Sequence, residues 1–414
     1  MKRLCEDDPL IDVRSGWRFD TLTQDAAGVT ALVTDTTTNE CRSLRARYLV
    51  GCDGATSAVR KAIDIPLQGR PVPRVARQVH FKSRDLAALH AHGQFWHIFF
   101  AAPGTLISQD EVDTWTVQRY YPPDTDPSGI PSEEVVASAL GCSIAIDRVL
   151  VTSVWQGNLL VADRYRAGRV FLAGDSAHQN IPTGGYGMNT GVGDAVDIGW
   201  KLAATLQGWG GPALLASYEV ERRPVALRNV ARSDRHAGVH VTWRSQMDRV
   251  LLEADTPEGE AHRARINAII QAERGENEDH GIELGYRYDG SPVIVGETGD
   301  APAWQPRTYV PTTWPGGRPP SVILEDGSFL FDRFGRGFTL LDFTGDPAGS
   351  QLVNAAAARG VPLERVVVRD PNARQLYERN LVLIRPDQHV AWRGDRVPDN
   401  PIAIVDRVRG AEPI

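Results

Sequence analysis

Apolar and polar positions alternate with a period of two over residues 16–33 (GWRFDTLTQDAAGVTALV), and the alternation breaks at Asp25-Ala26-Ala27-Gly28. This pattern predicts a hairpin. Residues 44–50 read as a further strand running into Gly51-Cys52-Asp53-Gly54, with Ser57 placed to cap a short helix through Lys61 and Ala62. From Pro71 the β-rich runs at residues 75–81, 94–101, 105–109, 114–120 and 148–156 are separated by Pro-Gly or acidic turns, which predicts an antiparallel sheet. Residues 169–173 then form a buried strand that ends at Gly174-Asp175.

Past Asp175 the pattern changes character. Pro182, Gly184, Gly185, Gly187, Gly191 and Gly193 fall within a dozen residues, a density that permits positive φ and close approach of backbone N–H groups to a flat or anionic ligand. From Val192 the period becomes helical: Val192, Ala195, Val196, Gly199, Leu202, Ala203 and Leu206 share one face, with Asp194, Asp197 and Lys201 opposite. A glycine-rich loop is therefore expected to feed the N-terminus of an amphipathic helix, where a phosphate or an electron-rich ring edge is favoured.

Further on, residues 214–233 predict a helix with Pro224 as a kink or restart, and the polar run 255–260 precedes a second helix through Arg274. Residues 275–293 read as a linker and surface turn. The last part has its own pattern: a strand at 337–342, a helix at 351–359, a strand at 363–369 and a hairpin of 380–385 with 389–393.

Composition narrows the classes. A net charge of −7 gives no reason to expect nucleic acid or an anionic membrane as partner. No window approaches the roughly 18 uninterrupted apolar residues of a membrane span. The four cysteines, Cys5, Cys41, Cys52 and Cys142, show no metal-ligand spacing and are expected to be reduced, buried small hydrophobes in a cytoplasmic protein. His92 and His97 lie five apart in loop and strand, so no metal site is expected. Ser176 is not in a GxSxG context, and Asp85, Asp110, Glu111 and Asp113 read as solvated turns.

The order strand, Gly174-Asp175, Ala177-His178, Pro182, Gly184-Gly185-Tyr186-Gly187-Met188-Asn189, helix closely resembles the second FAD-binding motif of the aromatic-ring hydroxylases, single-component flavoprotein monooxygenases. Asp53, Gly54, Ser57 and Arg60 match the DGxxSxVR motif of the same family, which is tied to both FAD and NAD(P)H. Taken alone, that corner is an ordinary strand-turn-helix in which Asp53 and Ser57 only cap. Two motifs in the right order, roughly 120 residues apart, are far more specific than either one.

The resemblance implies an α/β FAD-binding fold of the glutathione-reductase kind, an inserted antiparallel β substrate domain and a C-terminal thioredoxin-like domain. The implied boundaries are 1–70 and 157–210 for the flavin part, 71–156 for the insert, 211–285 for a helical segment and 286–414 for linker and last domain. Asp175 is implied to bind the ribityl or pyrophosphate region and Pro182 to lie beside the reacting face, with backbone contacts from Met188 and Asn189. Gly54, Ser57, Gly174, Gly184, Gly185 and Gly187 complete the implied cofactor set.

The implied reaction is NAD(P)H-dependent hydroxylation of a phenolic or polycyclic aromatic by dioxygen through a flavin C4a-hydroperoxide, in a protein that is often dimeric. Phe95, Trp96, Phe99, Phe100, Trp115 and Tyr120 are available to line an aromatic pocket, although sheet packing explains each of them as well. His178 is expected to be a structural histidine near the loop. No cysteine follows Cys142, which excludes disulfide exchange in the last domain.

The family's opening βαβ unit with GxGxxG has no counterpart before Asp53, and Gly191-Val192-Gly193-Asp194-Ala195-Val196 lacks the third glycine. The chain is thus expected to be an N-terminally truncated member or the product of a misplaced gene start. A binding or dimerisation module, or a flavin oxidase on the same scaffold, are the alternatives.

Overall fold

The computed structural model of the protein describes residues 2–100 and 104–412. Ala101, the predicted end of one strand, and the side chain of His92 lie outside the described residues. The predicted hairpin is present: β1 (Trp17–Gln24) pairs antiparallel with β2 (Val29–Asp35), which pairs with β3 (Cys41–Ala46). Residues 44–50 are not one strand. The chain leaves the hairpin sheet after Ala46, and β4 (Leu49–Gly51) joins a different sheet. The six residues of β3 are all exposed on the edge of the meander, whereas β4 enters the core, so the two halves serve separate layers.

The next sheet has six antiparallel strands in the order β12-β9-β5-β8-β7-β6. They are β5 (Leu67–Lys82), β6 (His97–Phe99), β7 (Gly104–Ser108), β8 (Thr114–Tyr121), β9 (Arg148–Ala162) and β12 (His178–Gln179). β5 and β9 are longer than the runs predicted for them, because they pair with each other from Leu67–Ala162 to Lys82–Arg148. On one face the helix Ser132–Leu140 packs Val135 and Val136 against Leu106, Trp115 and Val117. Trp115 is wholly buried and its Nε1 donates to Ser83 O at 3.0 Å.

β10 (Arg166–Ala167) and β11 (Val170–Leu172) complete the small sheet with β4, in the order β10-β11-β4, and β11 runs parallel to β4. The chain crosses from β11 to β12 within six residues, so the turn at Gly174–Ser176 joins the two sheets.

The loop helix spans Tyr186–Leu206, six residues earlier than predicted, and places Gly187, Met188 and Asn189 in its first turn. Its face assignment is corrected as well: Asp194, Asp197 and Lys201 are fully buried, while Val192, Val196 and Leu206 are exposed. The charged face turns inward because it meets charges of opposite sign on other elements. The long helix Pro212–Ser245 runs through Pro224 without restarting and extends past Ser233. The helix Pro257–Ala272 begins within the polar run, on the Thr256 cap.

The last sheet has the order β14-β13-β15-β16, with β13 (Phe338–Asp342) parallel to β14 (Leu363–Val367) and antiparallel to β15 (Leu381–Ile384), which pairs with β16 (Val390–Gly394). Helices Pro371–Tyr377 and Pro401–Val408 add to the predicted helix at Ser350–Ala357. Each added helix opens on an Asp or Asn cap followed by proline, a start signal that the sequence does contain. Phe338, Leu340 and Ile404 share one core with Ala204, Trp209 and Leu214, so this unit docks on the ends of the two central helices.

No helix among the described residues is long and apolar enough to cross a membrane. The cysteines are not buried hydrophobes: Cys41, Cys52 and Cys142 are exposed and Cys5 is half-buried. Cys41 opens the outer strand β3, Cys52 follows a strand end and Cys142 follows a helix end, positions that face water.

Candidate active site

Parallel pairing of β4 with β11 puts Gly51 opposite Leu172, and so brings the two acidic turns to one sheet edge. Ala173 N and Ser176 Oγ both donate to Gly51 O, at 3.0 and 2.6 Å, and Gln179 Nε2 donates to Ala55 O at 2.8 Å. The two motifs, distant in sequence, form one surface. Ligands of open α/β sheets bind at this carboxyl edge.

The acidic residues differ in their engagement. Asp53 accepts from Ser57 Oγ at 2.6 Å and from Val59 N at 3.0 Å, while Ser57 Oγ accepts from Arg60 N at 2.9 Å. Arg60 folds back, NH1 donating to Ile65 O at 3.0 Å, and its buried Nε has no partner. Gly54 turns the corner at φ +79°. Asp175 is exposed and makes no hydrogen bond or ion pair among the described residues. Asp53→Ala is expected to lower stability by about 1 kcal/mol through the lost cap, and Asp175→Ala to change it by less than about 0.5 kcal/mol. Urea unfolding of the two variants checks the contrast. Although Cys52 is exposed as a residue, desolvation of its sulfur first, and then the negative charges of Asp53 and Asp194, push the thiol up, away from a reactive thiolate.

The loop proper starts at Pro182, whose carbonyl accepts from Gly185 N at 3.0 Å. Gly184 and Gly185 sit at φ +82° and +68°, and a Cβ on Gly184 would meet the Tyr186 ring at 2.4 Å. Gly185 is the N-cap and supplies no side-chain hydrogen bond, so no side chain of the cap satisfies the first-turn amides of a 21-residue helix. A Cβ on Gly191 would stand 3.2 Å from Gly174 Cα, which is how closely the helix approaches the strand end. Beside this cradle both polar atoms of the Asn180 amide are buried without a partner. These features fit an anionic, flat ligand such as a flavin dinucleotide.

Asp194 holds the cradle from behind. Its carboxylate accepts from Gly174 N at 3.1 Å, His178 Nε2 at 2.8 Å and Arg222 Nε at 2.8 Å. Burial alone would raise the Asp194 carboxyl, but Arg222 and His178 overcome it and keep it below the ordinary range. His178 is buried and faces away from solvent, in a positioning role.

A cavity partly open to solvent lies where the loop meets the six-stranded sheet and the long helix. Pro182 and Ile181 line it on the loop side, Tyr120 and Trp155 on the sheet side, and Phe99 and His240 beside them. Of the six aromatics singled out by sequence, only Phe99 and Tyr120 reach it. Trp115 is core, Phe95 and Phe100 pack partly against that core, and Trp96 is exposed. Arg74 and Arg244 also line the cavity, and no sequence pattern had marked them.

Behind the loop helix, Asp197, Glu221 and Asp387 converge closely enough to suggest a metal site. Two cations already occupy the space between them: Lys201 Nζ donates to Asp197 and Glu221 at 2.8 and 2.6 Å, and Arg385 donates to all three carboxylates. Arg385 belongs to the last sheet, so the cluster ties that unit to the loop helix and the long helix.

Comparison with known proteins agrees with this architecture. Residues 2–233 match the family model described as FAD binding domain, and residues 312–411 match that described as Aromatic-ring hydroxylase, C-terminal. FAD-dependent monooxygenase apdD of Emericella nidulans is 42% identical over 427 residues, spanning 96% of this chain and 68% of that protein. Among solved structures, RebC-10x, native and with bound K252c, is 39% identical with a TM-score of 0.85 over 96% of this chain and 75% of its own. The flavin-dependent monooxygenase PieE in complex with FAD and substrate is 31% identical with a TM-score of 0.86, over 96% and 76%. The chain belongs to the FAD-binding aromatic-ring hydroxylase family, and it is an FAD-dependent monooxygenase.

Proposed function

We propose that the protein hydroxylates a phenolic or polycyclic aromatic substrate, consuming NAD(P)H and dioxygen and releasing NAD(P)⁺ and water, with oxygen transfer from a flavin C4a-hydroperoxide. The observation that carries this reading is the single surface formed by the paired strand ends, the uncapped glycine loop and the aromatic cavity that begins at Pro182. Asp175, unpartnered and exposed, is assigned to the ribityl or pyrophosphate region; Gly184 and Gly185 shape the turn at positive φ, and Gly187, Met188 and Asn189 in the first helical turn are assigned to the ring edge. Asp53, Gly54, Ser57 and Arg60 shape the neighbouring corner, and Gly174 lets the loop helix approach. Pro182 closes the cavity on the loop side, where it would keep water from the reacting face.

The boundaries near residues 70, 156, 210 and 285, the thioredoxin-like character of the last unit and a homodimer through the helices after Pro212 belong to the same proposal. The test is the visible spectrum of the purified protein and the FAD released per chain, followed by phenol-stimulated NAD(P)H oxidation with product analysis. Near-stoichiometric FAD and a product carrying one added oxygen are expected. Hydrogen peroxide without hydroxylated product would replace the hydroxylase by an oxidase, and a colourless protein that cannot be loaded with FAD would leave a binding module. Asp175→Ala should lower FAD per chain while leaving the urea midpoint in place.

A further inference from the structure

The cavity beside Pro182 is mostly apolar, yet two guanidinium groups line it without a carboxylate to neutralise them. Arg74 is half-buried, lies 5.4 Å from the centre of the Tyr120 ring, and makes no ion pair or hydrogen bond among the described residues. Arg244 uses Nε to donate to Phe100 O at 3.0 Å and stacks on Trp243 at 4.7 Å, which leaves its two terminal nitrogens without a partner among the described residues.

The other polar groups of the wall are already engaged. Thr183 Oγ1 donates to Ser233 O at 2.9 Å, and Tyr120 Oη donates to Gln118 Oε1 at 3.1 Å. His240 Nε2 donates to Glu276 at 2.6 Å while Nδ1 accepts from Trp243 Nε1 at 3.3 Å. Glu276, the carboxylate on the neighbouring element, is therefore taken up by the histidine. Two like charges in one low-dielectric cavity repel each other, and an anion placed between them removes that cost. Burial first, and to a lesser degree the like charge of Arg74, lowers the Arg244 pKa, with Tyr120 and Glu276 opposing.

We infer that the aromatic substrate carries a carboxylate, held by Arg74 and Arg244 while its ring lies against Phe99, Trp155 and Ile181 towards Pro182. A planar guanidinium pairs a carboxylate through two parallel hydrogen bonds, so the acid would fix which ring carbon faces the loop. This inference rests on the reading of the cavity as the aromatic site, but it concerns recognition, which is measurable without turnover.

The experiment is equilibrium binding of 2-naphthoate and its neutral near-isostere 2-naphthamide to the full chain, followed by tryptophan fluorescence or calorimetry. Naphthoate should bind at least about tenfold more tightly than the amide. Arg74→Gln and Arg244→Gln should each bring the ratio close to one without changing the affinity for the amide, and Arg244→Lys should restore part of it. Thermal melts of each variant show that it is folded, so a lost preference cannot come from unfolding. Equal binding of acid and amide by the wild type, or a preference that survives in both glutamine variants, would overturn the carboxylate while leaving the aromatic site intact. Failure of both ligands to bind would overturn the site reading itself, and the carboxylate with it.

Discussion

Arg385→Met is expected to cost about 3–5 kcal/mol, because it leaves buried carboxylates without their main counter-charge. Arg385 is fully buried, donating to Glu221 at 2.6 and 2.7 Å, to Asp387 at 2.6 and 3.0 Å and to Asp197 at 3.0 Å. Burial, reinforced by Glu221 and opposed by Lys201 and Arg385, drives the Asp197 carboxyl well up. Glu221 goes the other way: burial opposes ionisation, but Arg385 and Lys201 pull its pKa from 4.5 down to about 2.

A carboxylate with a depressed folded pKa contributes stability above its unfolded pKa and loses it as pH falls through the folded one. The wild type should therefore lose this contribution between pH 4.5 and about 2. In Arg385→Met only Lys201 still holds the Glu221 pKa down, so the difference between wild type and variant should be largest near neutrality and narrow in that window. Urea unfolding at several pH values measures it. A difference that stays flat down to pH 3 would sink the electrostatic account and leave only lost packing against Trp200 and Tyr288, whose rings each lie 5.2 Å from the guanidinium.

The same cluster explains what the sequence could and could not disclose. The strand, the Gly174-Asp175 turn and the glycine loop are local patterns, and their pairing with the Asp53 corner followed from motif order. The buried face of the loop helix was not legible. Helical spacing assigns Asp194, Asp197 and Lys201 to water, and only Arg222, Glu221 and the distant Arg385 make burial of that face affordable. Arg385 lies 188 positions from Asp197, a separation over which no periodicity carries information. Arg74 and Arg244 were hidden for a related reason: each looks like a surface cation until the sheet and the long helix fold around one cavity. The break between β3 and β4 escaped because both halves are equally strand-like, and only the partner sheets differ.

Asp194→Asn is the change expected to join stability and cofactor retention most directly. The carboxylate accepts three hydrogen bonds at once, from Gly174 N, His178 Nε2 and Arg222 Nε. An amide of the same shape has only one oxygen, and its NH₂ must face a donor, either the Arg222 guanidinium or the Gly174 and His178 N–H groups. Arg222 keeps Tyr288 Oη and Thr190 O as acceptors at 3.0 Å but loses its only ion-paired carboxylate among the described residues. A buried pair broken in this way costs about 3–5 kcal/mol. The loss reaches the proposed cofactor site because Gly174, whose N–H is released, precedes Asp175 and contacts the loop helix at Gly191. FAD affinity should fall by at least about tenfold, a cost of roughly 1.4 kcal/mol in binding. The measurement is FAD per chain after gel filtration, paired with urea unfolding, and Asp175→Ala serves as the reference in which flavin is lost without instability. If Asp194→Asn unfolds at lower urea yet retains FAD as the wild type does, Asp194 supports the core alone and the proposed positioning of the loop is wrong.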